Sequence, residues 1–299
     1  MLDAGYPWRS TDFGRHSGFL LAANAFSTVV EDRSSAASRF ADAVDAWWRP
    51  AAFLLALVAL WWLVTAMGWV KPYLVPSPGS VVAEFQKDTG LLAHHSGITL
   101  LETVVGFVVA SIVGLVCAVA IVYSRGVERT LYPLLLAAQV VPKIAIAPLF
   151  VVWLGFGIAP KILVAVLIAF FPVVISGVAG LRAVDPELLD LAATMGAKPW
   201  DSFAKIRFPG AMPHIFAGLK VAVTLAVVGA VVGEFVGANS GLGYIVMSAN
   251  GNLNTPQLFA ALICMSAIGI VLFVLLEIAE RFAVPWRTAH DERELLVTS

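Results

Sequence analysis

The sequence predicts an all-helical protein of the lipid bilayer, with six membrane-crossing helices and both chain ends on the same side. Three observations carry this expectation. Of the 299 residues, 60% are hydrophobic and 13% are charged, whereas a soluble domain is about 25% charged. Six stretches are apolar over the length of about 20 residues that a helix needs to cross the hydrocarbon layer. Lys and Arg are concentrated in alternate connections, the bias that orients helices in a membrane.

The first span is 50–70, rich in Leu, Ala and Trp, and the second is 98–123. The third, 131–154, contains Pro142 and Pro148. The fourth, 162–181, holds Pro172, with Val178 expected on its lipid side. The fifth is 215–236 and the sixth 258–284. All six read as helix, because an open strand in lipid leaves its backbone groups unsatisfied. Residues 1–49 mix Asp12, Arg15, Glu31, Asp32 and Arg33 with short apolar pieces. A cleavable signal has a basic start and one uninterrupted apolar stretch, so this segment reads as a cytoplasmic extension. Residues 288–299 read as a short cytoplasmic tail, which leaves 50–287 as the transmembrane domain.

Orientation follows from charge. With the N-terminus inside, the inner segments hold fourteen of the 19 Lys and Arg, among them Arg125, Arg129, Arg182, Lys198, Lys205 and Arg207. The outer segments hold Lys71, Lys87 and Lys161, while Lys143 and Lys220 fall within spans. Both ends are therefore placed in the cytoplasm.

Several classes of function drop out. A net charge of -1 with no basic stripe gives no nucleic-acid footprint. Cys117 and Cys264 lie in apolar runs with no second Cys or His at ligand spacing, so they read as small hydrophobes. The adjacent His94 and His95 read as a solvated pair outside the second span, since a metal needs more ligands. No cofactor or metal site is expected. No GxxxxGK[ST] loop is present, so ATP is not held here by that route. Ser176-Gly177 has no His partner in a nearby span, which argues against a membrane protease. An ion-coupled secondary carrier is the alternative, although such carriers commonly show broken helices in two repeated halves.

The inner connection at 183–213 is long, and long connections in compact proteins are usually functional. Asp185-Pro186-Glu187 suits a helix start, with Pro in the first turn and acids at the positive end of the dipole. Gly196 breaks that helix, and Lys198-Pro199-Trp200 begins a second short one expected to end before Phe208-Pro209. Ala192, Ala193 and Gly196 give the elbow a small-residue face that admits another backbone closely.

This segment resembles the signature loop of ATP-binding-cassette importer permeases. That pattern runs Glu-Ala-Ala, three residues, Gly, nine residues, Ile, one residue, Leu-Pro. Here Asp190-Leu191-Ala192, Gly196, Ile206 and Phe208-Pro209 stand at matching spacing, with Asp for Glu, Leu for Ala and Phe for Leu. The likeness extends over about residues 50–287. Pro76-Ser77-Pro78, Thr99, Gly106-Phe107 and the run from Pro148 to Gly155 are similar to the nitrate, sulfonate and taurine branch. Val184-Asp185-Pro186-Glu187-Leu188 and Val232-Gly233-Glu234-Phe235-Val236-Gly237 look closest to permeases for thiamine-pyrimidine precursors or riboflavin.

The resemblance implies a type I importer permease bundle in the bacterial inner membrane, with no enzymatic activity of its own. It implies a docking loop for a separate ATPase subunit, carried by Asp190, Ala192, Ala193, Gly196, Ile206 and Pro209. The expected partners are an ATPase dimer, a periplasmic or lipid-anchored binding protein, a second permease copy and membrane lipid.

Four residues are candidates for the translocation pathway. Glu234 near the outer end of the fifth span is an intramembrane carboxylate, costly and often functional; the alternative is an interfacial Glu bound to water or to a neighbouring helix terminus. Lys143 and Pro148 flank a break in the third span, and freed carbonyls are tolerated only against protein or a water-filled cavity. Lys143 either meets an anionic substrate group or is paired internally. Gly233 belongs to the ridge Gly229, Gly233, Gly237, which suits close helix packing or pore lining. Glu277 and Arg281 are spaced to pair on the last span.

Overall fold

The computed structural model describes residues 48–237 and 239–286. The expected tail, and the N-terminal extension up to residue 47, lie outside the described residues. The contacts divide the chain into two units, with the boundary after Met67. In the first, Trp48–Ala66 forms helix α1, long and apolar enough to span and with no buried residue in its apolar window.

The second unit is helical among its described residues. Helix α2, Pro78–Lys87, is capped by Ser77, whose hydroxyl accepts from the Ser80 amide, and it has Pro in its first turn. Helix α3, Thr89–Tyr123, is 35 residues long. Helix α4, Arg125–Val140, begins at a Ser124 cap. A 3-10 turn, Lys143–Ile146, leads to α5, Ala147–Leu154. Helix α6 is Ile158–Arg182. Helices α7, Pro186–Thr194, and α8, Pro199–Ser202, form the elbow. A π turn, Phe203–Arg207, feeds α9, Phe208–Gly237. Helices α10, Leu242–Gly251, and α11, Thr255–Ala283, complete the unit.

The core is the stack of α3, α6 and α9, and small residues set its spacing. Lipid is as apolar as Leu, so helices associate in a membrane through close packing rather than burial from water. A Cβ on Gly106 would sit 2.5 Å from the Ala165 Cβ, and one on Gly114 would sit 2.9 Å from the Val173 Cβ. On the α9 side, a Cβ on Gly229 would lie 2.6 Å from the Ala165 Cα, and one on Gly233 2.7 Å from the Lys161 Cα. Gly229 and Gly233 therefore pack backbone against backbone on α6, and Gly237 meets the Phe156 ring.

Among the described residues five single helices qualify as spans, and α4 with the Lys143–Leu154 segment makes a sixth if that bent pair is counted as one. The third span is thus not one rod: its halves meet at 88°. Val141 and Pro142 are extended at the break. A proline there lacks the amide that a continuing helix would use.

Four expectations are corrected. Helix α6 starts at Ile158, so Lys161 is inside it and 4% exposed rather than in an outer loop. Pro160 did not delay the start, because first-turn amides have no intrahelical partner to lose. Helix α3 begins at Thr89, so His95 is buried within it and not part of a solvated pair. The second elbow helix does not stop before Pro209; the Phe208 amide bonds Phe203 five residues back, and this wider turn carries the chain into α9. Val178 is buried against Ala118, Ile121 and Val174 instead of facing lipid.

Candidate functional site

The elbow is built by local rules. The Asp185 carboxylate accepts from the Glu187 amide at 2.9 Å and caps α7. At the other end Gly196 has φ +80°. Its amide bonds Ala193 O at 3.0 Å, while the Ala197 amide bonds Ala192 O at 3.0 Å. This pairing is a Schellman closure, which places a left-handed residue just past the helix and favours Gly there. Leu188, Leu191 and Met195 are exposed, Met195 at 80%. They recur at helical spacing, so α7 presents an apolar stripe. Asp190, Ala193 and Gly196 are exposed beside it, Ala192 is half-buried, and Ile206 and Pro209 sit half-buried at the root of α9.

At the opposite end of α9 a second constellation is buried. Four side chains from three helices hold four successive residues, 240–243, where the α9–α10 connection enters α10. The Lys161 ammonium donates to Ser240 O at 2.9 Å. His95 Nδ1 accepts from the Gly241 amide at 2.9 Å. Thr99 Oγ1 accepts from the Leu242 amide at 2.8 Å. The Glu234 carboxylate accepts from the Gly243 amide and, at 2.6 Å, from the Thr99 hydroxyl. These amides belong to the start of α10, whose first-turn donors have no helical partner. A negative group there also meets the positive end of the helix dipole. Gly241 has φ +108°, and a Cβ at Gly243 would fall 2.8 Å from that of Glu234. The two glycines let the carboxylate come this close.

Lys161 also pairs with Glu102 at 2.8 Å, and the Glu102 side chain is wholly buried. Glu102 Oε2 and Thr103 Oγ1 have no hydrogen-bond partner among the described residues. Beside this pair lies a recess of about 330 Å3, walled by Ile98, Phe156, Asn239 and Ser240 among others.

The four pathway candidates do not converge. Glu234 and Gly233 belong to the buried end just described. The Lys143 ammonium lies 4.2 Å from the centroid of the Phe171 ring. Phe171 is ten residues along α6 from Lys161, or about 15 Å of helix. Pro148 is exposed in the first turn of α5. Three residues of this buried cluster are not singled out by the sequence as functional. Glu102, His95 and Lys161 come from two helices distant in sequence from residues 240–243, and only polar residues within apolar runs hinted at them. The pairing of Glu277 with Arg281 is present at 3.8 Å, and Lys220 on α9 joins it by contacts to Glu277 and Glu280.

The fold is that of a type I importer permease: spanning helices packed through small residues, a bent pair, and a helical elbow between the fourth and fifth spans. Residues 110–286 match the family described as "Binding-protein-dependent transport system inner membrane component", and the chain belongs to that family. It is therefore an ABC importer permease, a multi-pass protein of the inner membrane. This membership displaces the ion-coupled carrier.

Among its relatives is the formylaminopyrimidine transport permease protein ThiX of Halalkalibacterium halodurans. It is 36% identical over 80% of this chain and 95% of its own length. The riboflavin transport system permease protein RibX of Chloroflexus aurantiacus is 35% identical over 79% and 89%. The taurine transport system permease protein TauC of Escherichia coli is 28% identical over 78% and 87%. The solved MetNI methionine ABC transporter, in an inward-facing form, superposes with a TM-score of 0.57. It is 21% identical and covers 66% of this chain and 96% of its own.

Proposed function

We propose that this permease imports a small heteroaromatic nutrient, first a thiamine pyrimidine precursor or riboflavin, with sulfonate, taurine or nitrate as the next class. The higher identity to the formylaminopyrimidine and riboflavin permeases than to the taurine permease supports this order. The elbow docks on a separate ATPase subunit, which the exposed stripe Leu188, Leu191 and Met195 supports. Two copies of the permease, two ATPases and an external binding protein make the working assembly. Both termini lie in the cytoplasm. ATP closes the ATPase dimer, the elbows follow, and the bundles move between inward-open and outward-open forms.

Uptake decides the substrate: a strain lacking the gene should lose growth when one of these compounds is limiting, and unchanged uptake of all of them removes the proposal. Orientation is read separately. With Cys117 and Cys264 replaced by Ser, cysteines at Gly90 and Asn252 should react with an impermeant thiol reagent in intact cells. A cysteine at Ser202 should not react, and the reverse labelling overturns the orientation.

A further inference from the structure

A recess of about 340 Å3 lies at the elbow end, walled by Val119 and Tyr123 of α3 and by Pro199, Trp200 and Phe203. The Phe203 ring packs 5.6 Å from both Tyr123 and Trp200, and Trp200 is 72% exposed. The Arg207 guanidinium stands 5.3 Å over the Tyr123 ring, while its Nε donates to Leu181 O at 3.0 Å.

Depth and charge identify what fits there. A 35-residue helix such as α3 is about 52 Å long. The hydrocarbon layer is about 30 Å, so the helix ends emerge among the headgroups. Tyr and Trp favour that zone. The nearby acids are already matched: Glu128 with Arg182 at 2.6 Å and Asp201 with Lys205 at 2.9 Å. Glu187 and Asp190 lie on α7 rather than on the wall. Arg125 and Lys198 are exposed, adjoin the walls in sequence and form no ion pair among the described residues. The recess is thus apolar inside and positively flanked.

We infer that this recess holds one anionic phospholipid, with part of an acyl chain between Val119, Trp200 and Phe203 and the phosphate beside Arg207, Lys198 and Arg125. Basic pockets between spanning helices bind such headgroups. Protein side chains from the ATPase are the competing occupant. They are disfavoured because one wall is the membrane helix α3, whereas the apolar stripe of α7 lies on the elbow beyond it.

Native mass spectrometry of the detergent-purified full chain tests the assignment, with phosphatidylglycerol and phosphatidylcholine as probes. Wild type should retain one phosphatidylglycerol, and phosphatidylcholine far less. The double variant Arg125→Gln, Lys198→Gln should lose this preference by roughly fivefold per charge. Val119→Trp fills the recess and should abolish the adduct, and Trp200→Ala, which removes one wall, should weaken it. Equal retention of the two lipids by wild type overturns the inference. So does an adduct that survives both Val119→Trp and Trp200→Ala. Loss of the lipid when the permease is co-purified with its ATPase assigns the recess to the protein partner instead.

Discussion

The ammonium of Lys161 lies 2.8 Å from the Glu102 carboxylate, with both side chains buried. This ion pair ties α6 to α3, and the Lys161 contact to Ser240 O extends the tie to the α9–α10 connection. Removing one partner of a buried pair costs about 3–5 kcal/mol, because the other charge stays behind uncompensated. Lys161→Met should therefore lower the melting temperature of the purified permease sharply. The double variant Lys161→Met, Glu102→Gln should recover a large part of the loss. Additive losses in the double variant would show that the two groups are not coupled.

Glu234 has both oxygens engaged as acceptors, from Thr99 and from Gly243. Glu234→Gln can still satisfy the site. Its carbonyl accepts from Gly243 and its amide donates to Thr99 Oγ1, whose proton turns to His95 O at 3.2 Å. Glu234→Ala leaves the buried Gly243 amide without its acceptor, at about 1–3 kcal/mol, while the Thr99 hydroxyl can still donate to His95 O. The melting temperature should thus fall for Ala and hold for Gln. Uptake then separates the roles: normal transport in Glu234→Gln marks a structural cap, and lost transport at full stability marks a required charge.

The glycine ridge of α9 carries a contrast within one measurement. A side chain at Gly229 meets the backbone of Ala165 at 2.6 Å, and backbone cannot step aside. Gly229→Val should cost at least the roughly 1–3 kcal/mol of an overpacked core. Gly97→Ala on α3, where a Cβ meets nothing within 4 Å, should be neutral or stabilise by up to about 1 kcal/mol. Equal yields of folded protein from both variants would contradict the close-packing account.

Gly196 sits at φ +80° with open space around it, so a substitution there strains the elbow without clashing inside the chain. A left-handed residue with a Cβ costs about 1–2 kcal/mol, and 1.4 kcal/mol is about tenfold in an equilibrium. Gly196→Val and Ala192→Trp should insert normally yet retain less ATPase subunit or lose ATP hydrolysis stimulated by the binding protein. Val116→Leu is the control, since Val116 is 64% exposed on α3; Val178 is unsuitable because it is buried. Full stimulated hydrolysis in both elbow variants would remove this segment as the coupling element.

The sequence by itself determined the solvent, the presence of the spanning helices and the glycine break of the elbow. Those follow from local quantities: apolar length along a segment, and cap and glycine chemistry within a few residues of Asp185 and Gly196. It also marked the ridge at Gly229, Gly233 and Gly237, because four-residue spacing puts these on one face. Tertiary structure alone decided what the charged residues inside the spans do. From sequence, Lys161 reads as an outer-loop residue and His95 as half of a solvated pair, and no local rule joins residue 95 to residue 241 or residue 102 to residue 161. Their meeting depends on how α3, α6 and α9 are rotated and shifted against each other, which is set by glycine-to-backbone contacts spread over three helices. The 88° bend at Val141–Pro142 is of the same kind. Proline made a break possible there, but the packing of Phe150 and Ala147 on Val164 and Ile168 fixed where α5 lies.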